Sequence, residues 1–414
     1  MIRKYLAPDA GGGRVARRLR IVTFTTLFPN AAAPAHGVFV ANRLRYLLDS
    51  FQVAARVVAP VPWFPLRNKV FGRYARFAAA PKRETRFGVA VFHPRYIALP
   101  RIGMALAPLL LCAASLKLLR RLQAEQDFDL IDAHYAYPDG VAAVLLGRVL
   151  GKPVVITARG TDVNLIPRHA LPRRWLRWAV RRAAALVTVA DALQPPLIAL
   201  GADPAQLRTL RNGVDLELFR PHDRKTARAA FGVAGKTLLS VGHLIERKGH
   251  DRVIGALPRL ADCRLLIAGE GPERARLEAL AARLGVAGRV RFLGALPHAA
   301  LPRLYSAADA LVLASSREGW ANVLLESMAC GTPVIASDAW GNPEVVAKPA
   351  AGVLMRELTA AGVAEAAGRL FRAKPSRAAT RRYAEKFSWD ATTAGQLALF
   401  GEILAQNVSR GGRR

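Results

Sequence analysis

Residues 318–326 read Glu-Gly-Trp-Ala-Asn-Val-Leu-Leu-Glu, two carboxylates that bracket a glycine and the start of a helical stretch. The apolar run Ala310–Ala314 precedes them, and Cys330-Gly331-Thr332-Pro333 ends the stretch. A buried strand, a short glycine loop and a helix start are the parts of an anion site. The first N–H groups of a helix have no partner within it, and the helix dipole favours negative charge there. Carboxylates are poor phosphate ligands, but they accept the hydrogen bonds that sugar or ribose hydroxyls donate. The segment therefore reads as a pocket for a phosphate that carries sugars.

A second loop complements it. Gly242-His-Leu-Ile-Glu-Arg-Lys-Gly249 follows the strand-like run Thr237–Val241. Glycines let backbone approach a diphosphate, and Arg247 and Lys248 neutralise its charge. Taken alone, the same residues also fit a solvated turn. Gly269-Glu-Gly271-Pro-Glu273 ends another strand-like run, but Arg274 stands where a dinucleotide fingerprint needs its third glycine. A nicotinamide-dependent oxidoreductase is thereby disfavoured, while a base or ribose still fits on this turn. His134 ends the run Leu130–His134, and Thr157-Ala-Arg-Gly-Thr-Asp162 ends the next strand in the same manner, where Arg159 could meet an anion. Asp127 and Asp129 form a DxD that precedes a strand, so they read as solvated loop, and no metal site is expected.

These residues need strand ends to hold them. Leu19–Thr25, Val53–Val61, Val89–Ile97, Leu130–His134, Val154–Thr157, Leu186–Val189 and Leu207–Val214 are strand-like, with helical patterns between most of them. The pattern restarts at Thr237–Gly242 and continues through Cys263–Ala268, Val290–Leu293, Ala310–Leu313 and Pro333–Ala336. Alternation of this kind implies parallel sheets covered by helices, which bind ligands beyond the carboxyl ends of their strands. The expected organisation is a flexible basic N-terminus (1–18), an N-terminal doubly wound domain (19–210), a linker (211–225), a second doubly wound domain (226–388), a helix (389–405) and a tail (406–414).

Composition bounds the rest. A chain of 414 residues with 52% hydrophobic residues suits two globular domains. Cys112, Cys263 and Cys330 lie far apart, which fits a reducing compartment. The basic start lacks an apolar stretch long enough for a signal peptide. The apolar run Ile102–Leu116 is short for a membrane span; it is expected to be a core helix, with an interfacial helix as the alternative. The formal net charge is +31, of which residues 1–200 carry +20, a field that attracts polyanions. Arg67, Lys69, Arg73, Arg76, Lys82, Arg83 and Arg86 are interleaved with Phe71, Tyr74 and Phe77, and Arg173–Arg182 mixes two Trp with five Arg. Such stretches fit a membrane interface, nucleic acid or a solvated helix face with one apolar stripe.

Taken together, these motifs resemble family 4 of the retaining glycosyltransferases, whose signature is two glutamates separated by seven residues. The loop from Gly242 to Gly249, Gly269-Glu-Gly-Pro, Asn212-Gly-Val-Asp215, Glu326–Pro333 and Phe387-Ser-Trp389 occur in the family's order. The resemblance implies an α/β GT-B fold, two Rossmann-like domains facing across a cleft, with the last helix crossing back to the first domain. It implies that Glu326 holds the ribose, Glu318 the donor sugar, and the backbone of Gly319, Trp320, Ala321 and Asn322 the sugar and phosphates. Arg247 and Lys248 would grip the diphosphate, Gly242 and Gly271 would approach the nucleotide, Gly37 would approach the donor from the first domain, and His134 would contact the sugar near its reacting carbon. The chain departs from the family pattern at His243, where Arg is common, at Arg159, where His is frequent, and at Trp320 and Ala321.

The expectation is thus a metal-independent, retaining hexosyltransferase that uses a UDP- or GDP-linked donor and no cofactor. Its acceptor is expected to be polyprenyl-linked or otherwise phosphorylated, in cell-surface polysaccharide assembly. The protein would be cytoplasmic and peripheral on an anionic inner membrane face. A sugar-phosphate synthase, or a phosphorylase with pyridoxal phosphate, is the alternative on the same fold. A nucleic-acid-binding protein would explain the charge but not the two glutamates.

Overall fold

The N-terminal sheet orders its strands Leu207–Thr209, Ala185–Thr188, Val154–Ala158, Leu130–His134, Leu19–Phe24, Val53–Val58, Val89–Phe92 and Arg83–Arg86. All neighbours are parallel except the last pair. The second sheet runs Val290–Gly294, Cys263–Ala268, Lys236–Val241, Ala310–Leu313, Val334–Ser337 and Gly352–Met355, parallel throughout. This is a computed structural model that describes residues 17–65, 68, 73–98 and 103–411. Residues 1–16, Arg67, Lys69 and Phe71 of the basic stretches, and residues 412–414 of the tail lie outside the described residues, as do the side chains of Arg73 and Tyr74.

The central strands are continuous apolar runs because helices cover both faces. Leu265, Leu266 and Ile267 are buried alongside Leu311 and Val312 in the second domain, as are Ile131, Val155 and Ile156 in the first. Each sheet has a switch point where the chain leaves neighbouring strands toward opposite sides. In the first domain it lies between Leu19–Phe24 and Leu130–His134; in the second, between Lys236–Val241 and Ala310–Leu313. Loops that leave adjacent strands at a switch point diverge and leave a crevice. The two candidate loops, 242–249 and 314–321, leave the second switch point side by side.

The strand boundaries differ from expectation where proline intervenes. The run expected over Val53–Val61 divides into Val53–Val58 and Val61–Pro62, and Val89–Ile97 divides into Val89–Phe92 and Arg95–Tyr96. Pro60 and Pro94 lack the N–H that a continuing ladder needs. The two short pieces pair with each other instead. Arg83–Arg86 and Gly352–Met355 are strands that the sequence reading did not identify, the first because it is charged and lies at an edge. The expected strand Leu207–Val214 stops at Thr209 because the next residues turn into the contact between the domains. Asn212 is buried there, and a Cβ on Gly213 would stand 2.5 Å from the Trp389 nitrogen.

The helix Gly103–Glu125 corrects the core-helix expectation. Leu111, Leu119 and Leu122 pack inward, but Met104, Leu106 and Leu109 are exposed. Among the described residues the helix packs its inward stripe mainly on the neighbouring helix Val141–Leu150 and on the turn 136–140 before it. By length and composition alone it is the helix, among the described residues, that is able to cross a membrane. In Ala170–Val180 the rings of Trp175 and Trp178 pack partly against the core, while Arg173, Arg174 and Arg177 face outward.

The last helix, Trp389–Gly411, is longer than expected and lies on the N-terminal domain. Leu399, Phe400 and Ile403 share a core with Ile21, Val40 and Leu44, and Trp389 stacks on Tyr46 at 5.3 Å. Asp127 pairs with Lys152 at 2.7 Å, and Asp129 accepts the Arg20 N–H at 2.7 Å, so both DxD carboxylates are engaged away from the cleft.

Candidate active site

A cavity of about 320 Å³ opens between the domains. Leu27, Phe39, Tyr135, Arg159, Thr161, Asn164 and Asn212 line it from one side, and Arg247, Lys248 and Arg317–Val323 from the other. A larger depression of about 1170 Å³ lies against the N-terminal domain near Lys152, Arg181 and Arg208, and it contains none of the expected site residues.

The second domain contributes a charged corner. Lys248 Nζ donates to Glu318 Oε1 at 2.7 Å, and Arg247 NH1 lies 3.5 Å from the same oxygen. Arg247 NH1 also donates to the Arg317 carbonyl at 2.7 Å, and the Ser316 N–H donates to the Arg247 carbonyl at 2.9 Å. The two loops are therefore tied together before any ligand arrives. No side chain caps the helix Asn322–Ala329, and Asn322 and Val323 line the cavity, so the start of that helix faces it with its amides available.

Glycines permit the close approach of the domains. A Cβ on Gly319 would stand 1.9 Å from the Arg159 carbonyl oxygen, and one on Gly160 would stand 2.9 Å from the Gly319 Cα. Trp320 is not a cavity ring in the open; its Nε1 donates to the Asn212 carbonyl at 3.0 Å, which fixes the loop between the domains. Ala321 is buried and precedes the helix start.

On the opposite wall, Arg159 NH1 donates to Asn212 Oδ1 at 3.2 Å and NH2 to His134 Nδ1 at 2.8 Å. His134 Nε2 lies 3.1 Å from Asp132 Oδ2, which also accepts from Gln396 Nε2 at 3.0 Å. Gln396 Oε1 in turn accepts from Arg43 Nε at 2.9 Å. Because Arg159 can only donate, His134 accepts at Nδ1 and donates from Nε2, the neutral tautomer. Burial lowers the His134 pKa, ahead of the opposing pull of Asp132, which supports the same form. Burial lowers Arg159 to about 9 and Arg43 to about 10.

Asp162 accepts from the backbone N–H groups of Ala136, Arg159 and Gly160, at 2.6, 3.0 and 2.7 Å, and so sets the loop that carries Arg159. Asp139 accepts the Thr26 N–H at 2.7 Å in the same way, and burial raises its pKa to about 7. Tyr135, next to His134, has a φ of 86° and lines the cavity. A non-glycine residue in that region carries strain of the kind found at functional sites.

Residues 223–387 match the family model described as glycosyl transferases group 1, and residues 74–218 match the model described as glycosyltransferase family 4. The D-inositol 3-phosphate glycosyltransferases of Mycobacterium tuberculosis and Mycobacterium bovis are 34% identical over 337 residues, 74% of this chain and 69% of theirs. The chain belongs to the family 4 glycosyltransferases. Solved structures share its GT-B fold of two Rossmann-like domains. A sucrose-phosphate synthase from Thermosynechococcus elongatus superposes with a TM-score of 0.77 at 20% identity, over 94% of this chain and 100% of that one. The Anabaena protein HepE in complex with UDP and glucose gives 0.70 at 20% identity, over 93% and 100%.

Within this glycosyltransferase the expected site residues separate into two groups. Arg247, Lys248, Glu318, Gly319, Trp320, Ala321 and Asn322 meet at the cavity. Gly37, Gly242, Gly271, Glu326 and His134 are not among the residues that line it. Gly37 has a φ of 66° and precedes the helix Val38–Asp49, and its missing Cβ leaves room for the Leu27 carbonyl. Gly242 lies beside the Lys248 stem, and Gly271 packs on the Leu244 carbonyl. Glu326 accepts from Tyr305 OH at 2.8 Å and lies 3.5 Å from His298 Nε2. His298 gains protonation from that hydrogen bond, which raises its pKa.

His134 needs a correction. It is 1% exposed with both ring nitrogens occupied, so it cannot touch a sugar without displacing Arg159. Arg159 stands between it and the cavity, on the wall where the sequence showed a departure from the family's usual His. The sequence reading flagged Arg159 and Asn212 without placing them in the site, and it missed Phe39, Tyr135, Thr161, Asn164 and Arg317. Their positions just beyond strand ends were the available signal for Tyr135 and Thr161. His243 is exposed and lies outside the cavity lining.

Proposed function

We propose that this glycosyltransferase moves a hexose from a UDP- or GDP-linked donor to a lipid-linked saccharide in cell-surface polysaccharide assembly, with the anomeric configuration retained. The observation that carries the donor reading is the convergence of Lys248, Arg247, Glu318 and the uncapped Asn322–Ala329 helix on one cavity. Two cations and a helix start suit the leaving diphosphate, and one carboxylate suits sugar hydroxyls.

As the glycosidic bond breaks, negative charge gathers on the diphosphate. Arg247, Lys248 and the first amides of that helix stabilise it in place, and no metal is required for this step. Lys248 exchanges its Glu318 partner for a phosphate oxygen, which frees Glu318 for the sugar. The acceptor hydroxyl attacks from the face the diphosphate leaves, and a phosphate oxygen takes its proton. Glu326, oriented by Tyr305 and His298, holds the ribose hydroxyls.

The lipid-linked acceptor and a peripheral position on the cytoplasmic membrane face are supported by the basic first domain and by the exposed Met104, Leu106 and Leu109. A second reading, a soluble phosphorylated acceptor, is favoured by the mycobacterial relatives, whose name specifies an inositol phosphate. A thermal-shift panel of nucleotide sugars tests the donor, since a ligand that binds the folded state raises its melting temperature. NMR of the product reports its anomeric configuration, and an inverted product overturns the mechanism. Sedimentation with anionic vesicles at low salt tests the membrane reading; no co-sedimentation, together with turnover of a soluble phosphorylated acceptor, establishes the second reading.

A further inference from the structure

Besides Arg247, Lys248 and Arg317 of the second domain, the cavity is lined by a cation of the first domain, Arg159. The Arg159 carbonyl lies against the Gly319 turn, and its guanidinium bonds Asn212 and faces the Phe39 ring, two residues that line the cavity. That is the sugar end of the cavity, where the proposed function places the hexose and the acceptor hydroxyl.

The guanidinium there makes no ion pair among the described residues. Its side-chain partners, Asn212 Oδ1 and His134 Nδ1, are neutral, and its plane lies 5.1 Å from the Phe39 ring centre. Nε is enclosed and has no acceptor. Asp132 and Asp162 attract the Arg159 charge without contacting it, and Asp132 Oδ1 has no hydrogen-bond partner among the described residues. Asp162 accepts from three backbone amides, and Asp132 accepts from His134 and Gln396. A second buried cation, Arg43, adds repulsion. A neutral donor such as histidine suffices to hold a sugar hydroxyl. A desolvated arginine without a contacting carboxylate is costly unless the ligand brings the anion.

Two further enclosed polar atoms without partners, Arg317 Nε and Asn164 Oδ1, belong to residues that line the same cavity.

We propose that Arg159 is an anion subsite at the reacting end of the cleft, which takes a carboxylate on the transferred sugar, as in a hexuronate donor, or a phosphate on the acceptor next to it. The inference rests on the donor reading above and adds the charge of the substrate. The terminal N–H bonds not used by Asn212 and His134 are the donors such a group would take.

Calorimetric titration separates the possibilities. Wild type and Arg159→Gln are titrated with UDP, GDP, UDP-glucose, UDP-glucuronate, GDP-mannose and GDP-mannuronate. The donor source is established if wild type binds a uronate donor about tenfold or more tighter than its neutral counterpart, the effect of one charge-assisted pair, and Arg159→Gln abolishes the preference. The acceptor source is established if neutral and anionic donors bind alike, but inorganic phosphate binds the nucleotide-saturated wild type and not the nucleotide-saturated variant. Saturation keeps phosphate away from Arg247 and Lys248. If wild type binds UDP or GDP yet shows neither preference, the anion subsite is overturned while the donor reading stands. If wild type binds neither nucleotide, the donor reading itself fails. If Arg159→Gln does not fold, Arg159→His takes its place in both comparisons.

Discussion

Lys248 Nζ and Glu318 Oε1 stand 2.7 Å apart, an ion pair that joins the two loops leaving the switch point of the second sheet. Their side chains are 17% and 10% exposed, so the pair is shielded enough to be specific and open enough to be displaced. A diphosphate replaces the carboxylate as the partner of the ammonium without leaving either charge in vacuo. Two cations share this one carboxylate, so the corner is ordered and keeps an excess of positive charge.

Removing the cation should be felt by the donor. Lys248→Ala is expected to cost about 2 kcal/mol of transition-state stabilisation, roughly thirtyfold in kcat/KM for the nucleotide sugar. Steady-state kinetics checks it, and an unchanged kcat/KM would remove Lys248 from the phosphate site.

Glu326 acts with Tyr305. Glu326→Ala should raise the donor KM by a factor of about thirty, the loss of a charged hydrogen bond. Tyr305→Phe should raise it less, because it removes the group that orients the carboxylate and leaves the carboxylate itself. Equal KM values for wild type and Glu326→Ala would count against ribose binding.

Gly319→Ala tests the approach of the domains. The added methyl would meet the Arg159 carbonyl oxygen at 1.9 Å, and backbone cannot swing aside as a side chain can. A shift of this size in a site that aligns two substrates is expected to lower kcat/KM by about 100-fold. Gly288→Ala meets nothing within 4 Å and is the control for the substitution itself.

Asp139 gives a pH dependence of stability whose sign follows from its burial. Its folded pKa is raised from 3.8 to about 7, so the folded state holds the proton more tightly than the unfolded chain. The associated stabilisation is complete below pH 3.8 and is lost as pH rises through about 7. Between pH 5 and pH 8 the wild type should lose on the order of 2 kcal/mol relative to Asp139→Asn in urea unfolding, and parallel curves for the two proteins would refute the assignment.

Gln396 joins the last helix to the first domain. Gln396→Leu removes a donor from buried Asp132 and an acceptor from buried Arg43. Two polar groups left unpaired should cost about 3 kcal/mol in urea unfolding. A change under 0.5 kcal/mol, about the size of a surface substitution, would show that water replaces the glutamine.

The amino-acid sequence alone determined the two doubly wound domains, because short apolar runs such as Cys263–Ala268 and Ala310–Leu313 alternate with helical patterns, and that alternation restarts once along the chain. It also determined the cationic and acidic loops at residues 242–249 and 318–326, since glycine, paired cations and a helix start are local features. Only the tertiary structure decided which side chains face the cavity. Arg159, Phe39, Tyr135, Thr161 and Asn164 come from separate strand ends and helices, and Arg159 covers His134 although both residues close neighbouring strands. Local pattern reports on which way a residue points from its own strand or helix; which of two side chains lies over the other depends on the packing of elements distant in the chain, here the pressure of the Gly319 turn on one side and the Asp132–Gln396 contact on the other.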